Sequence, residues 1–271
     1  MIHERIYLDE NDDRVWLDTY IANDNGAPRP AMLVIPGGGY IGVSQFLEGE
    51  PIAVDFFQKG YNAFVLNYGV GKPTDVFPKH LIDAGRAMIY LRENAEALTI
   101  RADRIFAVGF SAGGHLCGCL ATMFEYPEVK SAFGDKAEMI RPEGVILSYP
   151  VTVALKNAHK GSFRNLFGMP YEEIPEDRLA YVSLDLAVTE KSSPMYIWHT
   201  AGDKGVPPQG SVMLAMALKK KNVPFMLNIF PYGPHAIALG TKVTECGNPE
   251  RIQPLAEGWT ALAHTWLETL A

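Results

Sequence analysis

Short apolar runs recur along the chain, separated by longer stretches whose apolar positions fall three and four residues apart. Residues 14–21 (R-V-W-L-D-T-Y-I) alternate with a period of two, the pattern of a half-buried antiparallel strand. Residues 31–35, 63–67, 104–108, 144–149, 195–199 and 225–230 are instead short, nearly continuous apolar runs rich in β-branched and aromatic residues. Runs of that kind suit strands covered on both faces of a parallel sheet. Between them lie helical patterns: 78–95, with Leu81, Ile82, Ala84, Met88, Ile89 and Leu91 on one side, then 112–124, 208–221 with its lysine-rich end, and 254–270. An opening strand pair followed by repeated strand–helix alternation predicts one three-layer α/β domain spanning 1–271, with a mostly parallel central sheet and helices on both faces. Residues 151–192 interrupt the alternation. They hold Phe163, Leu166, Phe167, Met169 and Tyr171 among polar residues, and an insertion this long with its own apolar content predicts a small lid.

Composition changes the picture mainly by exclusion. A chain of 271 residues can bury most of its unfolded surface without disulfides or metal. A net charge of −7 with no basic stripe argues against nucleic acid as a partner. No window is long and apolar enough to predict a membrane span. The opening residues M-I-H-E-R-I-Y-L lack the basic-then-apolar order of a secretory signal. The three cysteines, Cys117, Cys119 and Cys246, read as reduced thiols in a cytoplasmic protein.

Candidate chemistry concentrates at four strand ends. The segment R-I-F-A-V-G-F-S-A-G-G-H-L passes from a predicted strand directly into a predicted helix, with Gly109-Phe110-Ser111-Ala112-Gly113 at the junction. A serine there must occupy a sharp, strained turn, and glycine two residues before and after it gives its hydroxyl clearance. The helix that follows directs its free N–H groups at the same place. After the run 31–35 comes Pro36-Gly37-Gly38-Gly39-Tyr40, a backbone able to turn amides towards a developing oxyanion. Gly38 and Gly39, with the N–H of Ala112, are the candidate donors.

Seven histidines compete for the role of base. His3, His80 and His264 carry no turn signature. His115, four residues beyond Ser111, reads as a structural imidazole, and His199 as a packing or hydrogen-bonding residue near the site. His159 lies in the insertion with nothing to position it. His235, in P-Y-G-P-H-A-I-A-L after the last predicted strand, stands where a base must hang over a sheet edge. For the acid, Asp203 in A-G-D-K-G-V-P-P follows the run 195–199, whereas Asp177 and Asp185 lie in the insertion. Tyr40, Phe110, Phe163 and Phe167, with Tyr171, are candidate walls of a substrate pocket.

Together P-G-G-G-Y, G-F-S-A-G-G-H, D-K-G-V-P and G-P-H resemble the acetyl esterase/lipase branch of the α/β-hydrolases, including the xylanase-B-like and carbohydrate acetyl esterases. The resemblance covers nearly the whole chain. It implies an α/β-hydrolase fold with Ser111 as nucleophile, His235 as base, Asp203 as acid, and Gly38, Gly39 and Ala112 as amide donors. It also implies cleavage of short acyl esters, acetyl above all, without metal or cofactor, the partner being a small-molecule ester such as an acetylated sugar. The hormone-sensitive-lipase pattern has histidine where this chain has Pro36, and carries a helical N-terminal cap that the opening strands here replace. Both departures turn the expectation away from lipids. A peptidase of the prolyl-oligopeptidase type and a hydrolase-fold binding protein without catalysis are the competing readings. Oligomeric state, a homo-oligomer included, is left open by the sequence.

Overall fold

The computed structural model describes residues 1–23 and 26–270. Eight strands form one sheet: β1 (Arg5–Tyr7), β2 (Trp16–Tyr20), β3 (Arg29–Ile35), β4 (Asn62–Asn67), β5 (Ile100–Phe110), β6 (Val145–Ser148), β7 (Met195–Thr200) and β8 (Phe225–Phe230). Their spatial order is β1-β2-β4-β3-β5-β6-β7-β8. β1 with β2 and β2 with β4 are antiparallel, and every later pair is parallel, as an α/β-hydrolase sheet requires.

The continuous apolar runs have the expected physical cause. Along β3, Ala31, Leu33 and Ile35 enter one core cluster while Met32 and Val34 enter the other; Met195 and Ile197 alternate with Tyr196 and Trp198 along β7 in the same way. Each strand needs apolar side chains on both faces because both are covered.

Nine α-helices cover them among the described residues: α1 (Glu50–Gln58), α2 (Lys79–Glu93), α3 (Ser111–Thr122), α4 (Pro127–Phe133), α5 (Lys160–Phe167), α6 (Glu176–Val182), α7 (Leu184–Ala187), α8 (Gln209–Lys220) and α9 (Trp259–Glu268). One face packs on α2, α3 and α8 through Leu81, Leu116 and Leu214; the other packs on α1 and α9 through Phe56 and Trp259. Among the described residues no helix is long and apolar enough to cross a membrane.

Four elements differ from the sequence reading; one of them, α4, lies in a stretch where no helix was expected. β5 begins at Ile100 rather than 104, because Arg29 pairs with Ile100 across an irregularity in the β3–β5 register. α1 was not expected. Its apolar positions Ile52, Ala53 and Phe56 follow a proline at the helix start, so the periodic stretch is short. α9 begins at Trp259, not 254, since residues 254–258 form turns.

The insertion 151–192 folds as α5, α6 and α7. Phe163, Leu166, Leu179, Val182 and Leu184 join the same cluster as α2 and α3. The Leu184 N–H donates to the Thr152 carbonyl (2.8 Å), and the Tyr171 hydroxyl to that of Ala154 (2.8 Å). The insertion is therefore a packed wall continuous with the core. Phe163→Ala should cost about 3–5 kcal/mol of global stability in urea denaturation, as truncation of a fully buried phenyl ring does. A loss below about 1 kcal/mol would show that the insertion is energetically detached from the domain.

Candidate active site

β5 ends at Phe110 in extended conformation (φ −120°, ψ 131°), and α3 starts at once with Ser111 at φ 52°. A side-chain-bearing residue at positive φ is strained, and such strain accumulates where geometry is demanded. The turn is this tight because its flanks carry no side chain. A Cβ on Gly113 would lie 2.3 Å from the carbonyl oxygens of both Ile35 and Pro36, and one on Gly109 would lie 2.3 Å from that of Gly113. These glycines thus admit backbone against backbone, a stricter requirement than clearance for the Ser111 hydroxyl.

The structure brings Ser111, His235 and Asp203 into one hydrogen-bonded row. Asp203 Oδ2 lies 2.6 Å from His235 Nδ1, and His235 Nε2 lies 2.8 Å from Ser111 Oγ. With the carboxylate accepting from Nδ1–H, Nε2 is left to accept the serine proton. Asp203 accepts three further hydrogen bonds. Oδ1 takes the N–H groups of Gly205 (2.8 Å) and Val206 (2.9 Å), and Oδ2 also takes His199 Nε2 (3.1 Å). Burial raises the pKa of this carboxyl. The hydrogen bonds from His199 and His235 and the His235 charge outweigh that and hold it well below the usual carboxylate range.

His199 bears out its reading as a residue that hydrogen-bonds near the site. Its Nε2 also faces the Val206 carbonyl (3.1 Å), which only accepts, so the proton sits on Nε2 and Nδ1 accepts from Ser211 Oγ (2.9 Å).

Beside Ser111 runs the glycine loop. Gly38 adopts φ 135° and Gly39 φ 62°, and a Cβ on Gly38 would meet the Gly42 carbonyl oxygen at 2.1 Å. The loop's other groups are tied down. The Gly37 N–H donates to Glu48 Oε2 (2.8 Å), the Gly38 carbonyl accepts from Ile41 and Gly42, and the Gly39 carbonyl accepts from Asn165 Nδ2 (2.7 Å). The N–H groups of Gly38, Gly39 and Ala112 have no internal acceptor among the described residues.

Tyr40 is the loop's anchor. Its hydroxyl donates to His115 Nδ1 (2.7 Å), and His115 Nε2 donates to the Val182 carbonyl (2.8 Å), so His115 is the satisfied structural imidazole that the sequence suggested.

The aromatic residues expected to wall a pocket are corrected. Phe110 is fully buried on the far face of the sheet against Tyr149 and Trp259, because strand alternation turns it away from Ser111. Phe163 is fully buried against His115. Phe167 packs between Phe77 and the Arg178 guanidinium. Tyr40, though only 3% exposed, does border a cleft of about 470 Å³ beyond the glycine loop, shared with Ile41, Lys72, Arg164, Asn165 and Met169. The cleft's outer wall is braced by Asp75, which accepts from Arg14 Nη1 (2.6 Å) and from the Lys72 N–H (2.8 Å).

Four contributors escaped the sequence reading. Asn165 pins Gly39, and Ser162 fixes His159 through its hydroxyl (2.9 Å to Nδ1). Burial, and then the His235 charge, lower the His159 pKa, which places this insertion residue within electrostatic reach of His235. Glu48 and Tyr149 are the others. The Tyr149 hydroxyl donates to Glu48 Oε1 (2.8 Å), and its ring stands edge-on to His235 at 5.1 Å. A strand-end tyrosine before Pro150 was the only available signal; Glu48 gave none. Among the described residues no group of three or more His, Cys, Asp or Glu side chains is placed to hold a metal ion.

A family profile described as BD-FAE matches residues 17–218. The chain is 39% identical over 227 residues to an endo-1,4-beta-xylanase B of Butyrivibrio fibrisolvens, covering 82% of this chain and 34% of that protein. It is 27% identical over 213 residues to an acetylxylan esterase of Xylanibacter ruminicola, covering 78% of this chain and 42% of that one. The chain thus spans well under half the length of either relative. Among solved structures, an acetyl ester-xyloside bifunctional hydrolase from Caldicellulosiruptor lactoaceticus superposes with a TM-score of 0.83 at 34% identity, over 98% of this chain and 96% of that one. A carboxylesterase from Lactobacillus plantarum WCFS1 gives a TM-score of 0.83 at 25% identity, over 99% and 98%.

The packing beneath the loop has a consequence for acid stability. Burial holds both His80 and His115 below the usual imidazole range, at about 4. An unfolded chain protonates these rings near pH 6.5, whereas the folded chain resists until about pH 4. Their contribution is therefore complete above pH ~6.5 and is lost progressively as the pH falls towards 4. Neither His80 nitrogen has a partner among the described residues. His80→Phe should flatten the fall in Tm between about pH 7 and about pH 4.5. Parallel Tm curves for the two proteins would contradict this.

Proposed function

The chain belongs to the BD-FAE family, and from that premise we propose that it is a serine carboxylesterase that removes short acyl groups, acetyl above all, from sugar hydroxyls. The observation that carries this reading is the row Asp203–His235–Ser111, with its 2.6 and 2.8 Å contacts in the direction that proton transfer needs.

In the proposed reaction His235 Nε2 takes the hydroxyl proton as Ser111 Oγ attacks the ester carbonyl. The tetrahedral oxyanion rests on the N–H of Ala112 and those of Gly38 and Gly39, which have no competing acceptor and need not reorganise. His235 returns the proton to the departing alcohol oxygen, leaving acyl-Ser111. A water molecule, deprotonated by His235, then releases the carboxylic acid and restores the serine. Asp203, whose charge is secured by four donors, keeps the imidazole in the working tautomer and offsets the imidazolium.

The sugar part of the reading rests on the neighbourhood of the glycine loop and on the relatives. The cleft begins at Tyr40, one residue past Gly39, and mixes hydrogen-bonding Arg164, Asn165 and Lys72 with apolar Ile41 and Met169. That combination suits the hydroxyls and ring faces of a saccharide. Two of the relatives bear names referring to acetylxylan or to an acetyl ester and xyloside. The packed insertion, tied to Gly39 through Asn165, favours a small acyl group.

With 4-nitrophenyl acetate, Ser111→Ala should lose kcat by on the order of 10⁴-fold or more. A variant retaining a tenth of the activity would remove Ser111 from its role. A series of acyl lengths should peak at acetyl, and acetate should be released from acetylated xylo-oligosaccharides. A preference for chains of eight carbons or more would overturn the short-acyl assignment.

A further inference from the structure

Glu48 is 2% exposed, Tyr149 is 1% exposed, and neither takes part in the chemistry proposed above. A buried carboxyl is costly unless its oxygens are satisfied, and a hydrophobic side chain of similar size would be cheaper in a mere packing role. Both Glu48 oxygens are satisfied, each by a group belonging to the site. Oε2 accepts the Gly37 N–H at 2.8 Å, immediately before the candidate oxyanion donors. Oε1 accepts the Tyr149 hydroxyl at 2.8 Å. That hydroxyl in turn accepts the N–H of Ala238 at 3.1 Å, three residues beyond His235. Since the tyrosine oxygen already receives the Ala238 proton, its own proton is directed to the carboxylate, and the bridge runs without a break from one loop to the other.

Both loops depend on the bridge for their shape. A Cβ on Gly37 would lie 2.8 Å from Glu48 Oε2, so the glycine is what admits the carboxylate. On the opposite side Ala236 (φ 60°) and Ala238 (φ 50°) hold strained backbone, which persists only where surrounding contacts over-determine it. The Tyr149 ring supports the His235 ring edge-on and is itself held edge-on by Trp198 at 5.1 Å.

We propose that Glu48 and Tyr149 are positioning residues for the ester hydrolysis, a single buried bridge that sets the oxyanion loop and the His235 loop at a fixed separation across Ser111. The inference rests on the esterase reading of Ser111. Oxyanion donors act only when they meet the developing charge at about 2.7–3.1 Å, and a misplacement of about 1 Å costs on the order of 100-fold in rate. Removing either member breaks the link between the two loops: without the Tyr149 hydroxyl the Ala238 N–H loses its acceptor, and without the Glu48 carboxylate the Gly37 N–H loses its own, so in each case the separation is no longer fixed. Burial of Glu48 raises its pKa, opposed by the Tyr149 and Gly37 hydrogen bonds and by the charges of His235 and Arg251.

The test compares Glu48→Gln, Tyr149→Phe and the double variant with the parent protein on 4-nitrophenyl acetate, at matched folded concentration verified by circular dichroism and thermal melts. Tyr149→Phe keeps the ring against His235 and removes only the hydroxyl. Each single variant should lose kcat by about 10- to 100-fold with KM changed less than about threefold. The double variant should be within about threefold of the worse single one, since one broken bridge cannot be broken twice. Folded variants with kcat within twofold of the parent, or losses that multiply in the double variant, would overturn the proposal. A parent that is inactive, or one whose activity survives Ser111→Ala, would instead overturn the esterase reading and this inference with it.

Discussion

Between the first turn of α3 and the end of β3 there is no room for a methyl group. The Ile35 and Pro36 carbonyl oxygens stand 2.3 Å from where a Gly113 Cβ would be, so helix and strand meet backbone to backbone. Much of the site follows from that contact. It sets the first turn of α3, which carries the Ala112 N–H, against the strand end that leads into Gly38 and Gly39, and Ser111 sits at positive φ at the mouth of the turn. The strain is sustained by what lies around it. β5 is buried on both faces from Ile105 to Phe110, α3 is buried along its whole length, and the Ser111 carbonyl accepts the Val151 N–H at 3.0 Å. A well-packed interior resists relaxation of a single unfavourable torsion.

Around Asp203 and the glycine loop, polar groups are paired in ways that leave free the groups assigned to the proposed reaction. Asp203 receives four hydrogen bonds, two from imidazoles, so its charge is stable despite burial. His199 spends both nitrogens on fixed partners and cannot exchange roles with His235, whose Nε2 is engaged only with Ser111 Oγ. The glycine loop shows the same economy. The Gly37 N–H and the Gly38 and Gly39 carbonyls are occupied, and the Gly38 and Gly39 N–H groups, without an acceptor among the described residues, are the proposed oxyanion donors. Such preorganisation is what electrostatic catalysis requires, because a donor already in place need not be reoriented during the reaction.

Local sequence carried most of the strands, the turn at Ser111 and the positions of Asp203 and His235, because each leaves a short-range mark: a continuous apolar run, glycine on both sides of a serine, or a polar residue on a glycine-rich loop after a strand. The residues that went unread act through tertiary contacts. Glu48 lies 101 residues from the tyrosine it binds, and Asn165 lies 126 residues from Gly39. Nothing within a few positions of either residue distinguishes it from an ordinary polar side chain. Phe110 was misplaced for a simpler reason. Adjacency to Ser111 in sequence suggested adjacency in the pocket, whereas strand alternation sends neighbouring side chains to opposite faces. The insertion 151–192 was recognisable from its length and apolar content, but its docking on His115 and Gly39 depends on partners far away in the chain.

In the proposed reaction Ser111 attacks a carbonyl whose oxygen comes to rest on the amides of Ala112 and the glycine loop. Its most direct test is a crystal structure of the protein after reaction with a small alkyl fluorophosphonate, a mimic of the tetrahedral intermediate. Phosphorus should be bonded to Ser111 Oγ, with one phosphonyl oxygen within about 2.7–3.1 Å of the Ala112 N–H and of Gly38 or Gly39. Phosphorus on another residue, or a phosphonyl oxygen turned to solvent with those amides unoccupied, would contradict it.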